Sequence, residues 1–538
     1  MKILGKLVDI HARNIYDACI TIDGERIRRI EKCDIDTEYF IMPGLIDSHI
    51  HIESSMVTPS AFAVEAVKSG TVAVVSDPHE IANVCGVEGV NFMINDGNNV
   101  PLRFYFGAPS CVPATSYETS GASVNINEVE ELLGRSEIHY LSEMMNFPGV
   151  VNGDKEAMGK IKAAIKAGKP VDGHAPGLMG EALKKYVSSG ISTDHECSSL
   201  DEAREKISLG MKILIREGSA ARNMDNLKEL INSHPDMVML CSDDLHPEML
   251  INGHINKLIA RLISEGFDVY DVIRSATINP VLHYKLGCGL LREGDAADFV
   301  IVKDLQKMEV VETWIGGSMV YGKKQVLFEP ANSIVINRFN CSHINAEDII
   351  IDNNGDSFRV IEAHDGELLT KQIITRQEKG STLISDLKKD YLKIVVKDRY
   401  SDAPPQTGFV KGFKLAKGAF ASSVAHDSHN IVCVGVDDAD IVAAVNAIVD
   451  MEGGLSVSTD KELFTLQLDI GGIMTSGSCY ETGSRYKELS KIVKNLGCTM
   501  AAPYMTLAFM ALLVIPELKI GDRGLFDVQS FRPVTLFV

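Results

Sequence analysis

Pro43-Gly44-Leu45-Ile46-Asp47-Ser48-His49-Ile50-His51-Ile52-Glu53 is an apolar run that ends in two histidines one residue apart. Side chains on a β-strand alternate between faces, so His49 and His51 point one way while Ile50 points the other. Two imidazoles aimed at one spot suit a cation, and they equally suit a buried, hydrogen-bonded pair. The strands further along the chain decide between the two.

From Pro43 onward, strand-like runs alternate with helix-like runs, and most of the strands end in a residue of ligand type. Residues 70–75 lead to Asp77-Pro78-His79-Glu80, a third strand fits 102–106, and a fourth over 138–141 leads to Glu143. Residues 170–172 lead to His174, 190–193 to Asp194-His195-Glu196, 212–215 to Arg216-Glu217, and 237–240 to Asp243-Asp244. Between them, Asp154 caps a helix carrying Met158, Ile161 and Ile165, with Gly168 just past its end. Further helices fit 180–188, 200–209 and 225–231. Strands alternating with helices of this length predict parallel βα units, and eight of them close into an α/β (β/α)8 TIM-like barrel.

The C-terminal ends of all barrel strands gather at one mouth, where catalytic groups sit. Taken singly, Glu143, His174, His195 and Asp243 read as capping or hydrogen-bonded residues at strand ends. Together, at successive strand ends and after a His-x-His pair, they predict a metal site. A donor set of imidazoles and carboxylates without thiolates suits Zn, Fe or Mn, and its carboxylates favour the harder metals.

The chain resembles the bacterial and archaeal adenine deaminases of the amidohydrolase superfamily. The resemblance is carried by PGLIDSHIHIESS at 43–55, DPHE at 77–80, GHAPGL at 173–178, His195-Glu196, REGSAARN at 216–223, Ser242-Asp243-Asp244 and AHDSHN at 425–430. The His-x-His opening is shared with the whole superfamily; DPHE, REGSAARN and AHDSHN are far more specific.

The resemblance implies a hydroxide, activated by two divalent metal ions, attacking C6 of adenine and expelling ammonia to leave hypoxanthine. Mn or Fe is the expected metal, with Zn the alternative. His49, His51 and Asp243 would hold one ion, His174 and His195 the other, with Glu143 bridging. Many relatives bridge with a carboxylated lysine, but the fourth strand offers none near its end. Asp243 would act as base, Glu80 as acid to the ring or departing amine, and Asp77 would orient Glu80 or His79. Asp77-Pro78 is also a common turn opening. Arg216, Glu217 and Ser219 are the candidates for purine recognition, since hydrogen bonds specify a heterocycle better than apolar contact does. His426, Asp427 and His429 are left open between a second metal site, a contribution to the first, and a structural knot.

Rival functions are a barrel hydrolase of cyclic amides or N-acetyl sugars, and a metal-free barrel serving as a binding or scaffold protein. The zinc nucleobase deaminases with a PCxxC signature are excluded, because the chain has no PCxxC. A net charge of −20 argues against nucleic acid or an anionic membrane as partner. Eleven cysteines without regular spacing, and no signal-peptide segment after Met1, fit reduced thiols in a cytoplasmic protein. A homo-oligomer, with a dimer as default, is expected for a large enzyme of this kind.

At 538 residues, with 45% hydrophobic content, the chain is long enough for two or three packed domains. Residues 1–42 read as short strands with a turn at Asp23-Gly24, and such strands return over 288–331. The superfamily resemblance implies that these two stretches pair into one small β domain flanking the 43–287 barrel. Residues 332–538, where Gly453-Gly454 and Gly471-Gly472 interleave with helical runs such as 439–450, read as a separate C-terminal α/β domain. The apolar stretch 504–515 is too short to span a bilayer and reads as a buried helix.

Overall fold

The computed structural model describes residues 1–376 and 382–538. Its centre is the eight-stranded barrel, with strands β1 (Leu45–Ile50), β2 (Thr71–Ser76), β3 (Arg103–Ala108), β4 (Ile138–Met144), β5 (Val171–Gly173), β6 (Thr193–Asp194), β7 (Lys212–Arg216) and β8 (Val238–Cys241). β1 to β5 form one parallel ladder and β6 to β8 another. Two seams join them. Ser192 N donates to Val171 O at 2.9 Å beside β5, and Asp243 N donates to His49 O at 2.9 Å where β8 meets β1.

Every residue of β1, β2 and β8 is buried, as expected of parallel strands covered on both faces. The helices form as their caps direct. Asp154 accepts from Glu156 N and Ala157 N at the start of helix Lys155–Lys166, satisfying donors that the first helical turn leaves free. The helix expected over 225–231 is divided into Met224–Leu227 and Leu230–Ser233.

Below the barrel mouth, strands from both flanks of the barrel share one eight-stranded sheet. Phe40–Pro43 is its hinge member, pairing in parallel with Lys2–Asp9 and antiparallel with Phe299–Val302. The chain thus enters and leaves the barrel through adjacent strands. Above the mouth lies a second eight-stranded sheet, Thr370–Arg376 through Glu462–Gln467, backed by helix Asp438–Met451. Gly453 and Gly472 approach there so closely that a Cβ on Gly453 would overlap Gly472 Cα, which explains the paired glycines of this region.

The stretch expected as a helix over 504–515 is helical only at Pro503–Phe509. Its remainder is irregular because Leu512, Val514 and Ile515 turn toward the barrel mouth and line it together with Leu368. Lys519 hangs this strap in place: its buried ammonium donates to the carbonyls of Leu368 (2.7 Å) and Phe509 (2.9 Å).

Burial pushes the Lys519 ammonium down to about 7 from its ordinary 10.5. Between those two pH values the unfolded chain binds the extra proton, so stability contributed through this residue rises with pH across the window. Relative to Lys519→Met, the unaltered chain is expected to gain stability from about pH 7 toward pH 10. Urea midpoints of both proteins at successive pH check this; a flat or falling difference contradicts it.

Candidate metal centre

The mouth of the barrel is roofed by protein, so its polar groups face one another rather than bulk water. His49, His51, His79, Glu80, Glu143, His195 and Asp243 are all buried. His174, at the end of β5, is nearly so. Strand alternation does what the sequence predicts at β1: the Nε2 atoms of His49 and His51 lie 3.2 Å apart. Asp243, just beyond β8, places Oδ1 3.5 Å from His49 Nε2 and 3.2 Å from His51 Nε2. Its backbone sits at φ 58°, a left-handed conformation rare outside glycine, held by the exchange of backbone hydrogen bonds with β1.

Glu143 joins the two halves of the cluster. One carboxylate oxygen lies 2.7 Å from His174 Nδ1 and 2.9 Å from His195 Nε2; the other is 3.5 Å from His51 Nε2 and 3.6 Å from His79 Nδ1. The His49 and His195 rings stack with centroids 4.2 Å apart. Among the sets of donor atoms that fall within a 4.8 Å span are His49, His195 and Asp243; Glu143, His174 and His195; and His51, Asp77, His79 and Glu143. Buried His174 Nε2 and His49 Nδ1 have no hydrogen-bond partner. Imidazole nitrogens and carboxylate oxygens crowded in this way, without a thiolate, fit a divalent metal ion.

Two buried networks fix the elements that carry these groups. Asp47, one pleat below His49, accepts from Ser242 N at 3.0 Å and lies 2.7 Å from His254 Nε2, whose Nδ1 meets Thr71 Oγ1 at 2.7 Å. That ties β1, β2 and β8 together under the histidines. On the opposite side, fully buried Lys206 donates to Ala175 O (2.7 Å), Asp194 (3.1 Å) and Glu202 (2.7 Å), holding the loops that follow β5 and β6.

In the DPHE segment the residues form the turn that Asp77-Pro78 predicts, and Glu80 lies at the barrel mouth. Asp77 accepts from His79 N at 3.1 Å and meets His79 Nδ1 at 3.1 Å, opening the turn that starts helix His79–Cys85. The turn aims Glu80 into the mouth. There its two carboxylate oxygens are met by His426 Nδ1 and His429 Nε2, which descend from the C-terminal sheet. Burial alone would raise the Glu80 carboxyl, but His426, His429 and His79 outweigh it and hold Glu80 well below the usual carboxylate range.

Of the three residues expected to recognise the substrate, one reaches the cleft. Arg216 lines it, with its guanidinium on Glu196 (3.0 Å from Nη2) and on Asp243 (2.5 Å). Glu217 turns outward to Arg261 at 3.4 Å, and Ser219 Oγ accepts from His246 N at 2.9 Å. Neither lines the inner cleft with Arg216; strand alternation sends Glu217 to the opposite face. Sequence reasoning also missed Glu196 as the partner of Arg216, and left His426 and His429 unassigned. No local spacing relates residue 80 to residues 346 positions away. Outside the inner cleft, a cavity of about 1270 Å³ shares Glu196, Arg216, Leu368 and Val514 with it and leads to the surface.

Comparison with known proteins gives two family matches. Residues 40–320 match the amidohydrolase family, and residues 367–532 match the adenine deaminase C-terminal domain. Among similar proteins, adenine deaminase of Methanosarcina mazei is 51% identical, the match covering 100% of this chain and 99% of that protein. Adenine deaminase of Salinibacter ruber is 48% identical over 100% and 99%, and that of Borreliella burgdorferi 46% identical over 98% of each.

Arg216→Met removes the cation from between two buried carboxylates while retaining much of the side-chain volume. Breaking a buried ion pair from one side costs about 3–5 kcal/mol. The expected result is a urea midpoint lowered accordingly; a loss below about 1 kcal/mol, in the range of surface pairs, would contradict this account of the cluster.

Proposed function

The chain belongs to the adenine deaminase family of amidohydrolases, and from that premise we propose that it converts adenine and water to hypoxanthine and ammonia at the barrel mouth. The observation that carries this reading is the coincidence of full-length similarity to adenine deaminases with a buried His/Asp/Glu cluster at the ends of the barrel strands. We further propose that His49, His51 and Asp243 hold one divalent ion and His174 and His195 a second, with Glu143 between them. Mn or Fe is favoured by the carboxylates in the set, with Zn the alternative. Such ions lower the pKa of nearby water, so that it becomes a nucleophile near neutral pH.

The remaining work falls to side chains. Asp243, pinned by Arg216 and facing His49 and His51, takes up the proton of the attacking water. Glu80, on the far side of the cleft and ionised at rest, takes up a proton released from the water and delivers it to the purine as the amine leaves, and Asp77 acts through the turn that positions it. General acid and base groups of this kind contribute about 10²–10⁴-fold each. Leu368, Phe509, Leu512, Val514 and Ile515 give the cleft an apolar wall, suited to a flat neutral heterocycle. Arg216 is the candidate that remains for polar contact with the ring.

A net charge of −20 supports a small-molecule substrate over nucleic acid. All eleven cysteines are free thiols, and among the described residues no helix is long and apolar enough to cross a membrane. Both observations support a cytoplasmic enzyme, for which a homodimer is the proposed state.

Protein loaded with manganese should consume adenine, followed by its ultraviolet absorbance, and release one ammonia per adenine lost; chelation should abolish both signals. Hydrolysis of cyclic amides or N-acetyl sugars with adenine untouched would overturn the reading. Glu80→Gln should retain the metal content of the unaltered enzyme while turnover falls by about 100-fold or more. A Gln variant of normal rate would remove Glu80 from the chemistry.

A further inference from the structure

We propose that the hairpin loop 423–430 of the C-terminal sheet is part of the catalytic apparatus, with His426 and His429 acting as positioning residues for Glu80. The inference rests on the deaminase reading and assigns the AHDSHN motif, which that reading leaves without a role.

Three observations carry it. First, the grip is two-handed: His426 Nδ1 meets one oxygen of Glu80 and His429 Nε2 meets the other, which fixes the carboxylate plane about its last side-chain torsion. Second, the hydrogen-bonding sense at His429 is set by its surroundings. The backbone N–H of Ala425 donates to His429 Nδ1 at 3.2 Å. A ring nitrogen that accepts cannot also carry the proton in neutral imidazole, so Nε2 carries it and turns it toward the Glu80 carboxylate that it faces. Third, the loop is itself anchored to rigid neighbours. Tyr400 Oη donates to Ser428 O at 2.6 Å, Asn430 Nδ2 donates to Thr119 O at 2.9 Å, and Ser423 Oγ donates to Gly472 O at 2.6 Å. The histidines therefore hold Glu80 against a fixed frame.

A docking contact between two parts of a chain needs no such groups. Glu80, His426 and His429 are exposed by 1%, 5% and 1% respectively, and burying charge and imidazole together costs solvation that apolar packing avoids. Orientation of a proton-transferring carboxylate is the return on that cost, because its transfer depends on hydrogen-bond geometry at the reacting atom.

The test is a double-mutant cycle on the metal-loaded full chain. His426→Ala and His429→Ala should each keep the unaltered metal content per chain and a KM for adenine within about threefold, while kcat falls about 100-fold. In a Glu80→Gln background the same substitutions should change kcat by less than about threefold, since the group they position is already gone. His426→Asn and His429→Gln, which place an amide nitrogen near Nδ1 and Nε2 respectively, should recover kcat at least about tenfold over alanine. These variants also stand in should either alanine variant fail to fold. Losses that multiply in the Glu80→Gln background, or no rescue by the amides, would overturn the proposal in favour of a structural knot. Loss of metal from the histidine variants would overturn it in favour of a ligand role. Unaltered enzyme inert toward adenine would overturn the deaminase reading and this proposal with it, an outcome distinct from the others.

Discussion

The hydrogen bond from Asp243 N to His49 O is the constraint on which the site depends. It is a backbone contact, indifferent to side-chain identity, yet it makes the last barrel strand adjacent to the first. Asp47 and Ser242, 195 positions apart, then share a buried hydrogen bond, and the imidazoles of β1 face the carboxylate that follows β8. An open sheet of the same eight strands would carry the same residues with the first and last at opposite edges. Closure turns a linear series of strand ends into a ring, and a ring has an interior where five imidazoles and several carboxylates lie within contact distance.

Gathering so much unsolvated polarity has a thermodynamic consequence. Desolvation acts against every ionised group in the cluster, and mutual pairing is what keeps Glu143, Asp243 and Glu80 ionised there. The supporting networks answer this on each side: Arg216 between Asp243 and Glu196, Lys206 between Asp194 and Glu202, and His254 on Asp47. An apolar core of the same volume would be at least as stable. Perturbed, mutually dependent groups of this kind mark a place where chemistry rather than stability has set the composition.

How far the residues announce this arrangement varies with the range of the interaction. His49 and His51 are legible because strand periodicity is local: two residues one apart must share a face. Glu143, His174, His195 and Asp243 become legible once the alternation of strands and helices implies a barrel, since that topology brings all strand ends to one rim. The same local alternation turns Arg216 into the cleft and Glu217 toward Arg261. The segment 504–515 misleads because apolar content without polar punctuation does not separate a buried helix from a strap that lines a cleft. His426 and His429 stand out in the sequence without a place to go. Their partner is fixed by how the upper sheet docks on the barrel, and no periodicity in the chain encodes that.

The order in which a ribosome makes this polypeptide gives the split site a further meaning. By the time residue 330 has been joined, the barrel and both flanking portions of its lower sheet exist, and with them every side chain that follows a barrel strand. Glu80 then still awaits its partners, which are 346 and 349 residues downstream, and the cleft lacks the wall supplied by residues 509–515. A chain that stopped there would lack both the histidines that meet Glu80 and the apolar wall of the cleft, so the site is complete only once the C-terminal region is joined.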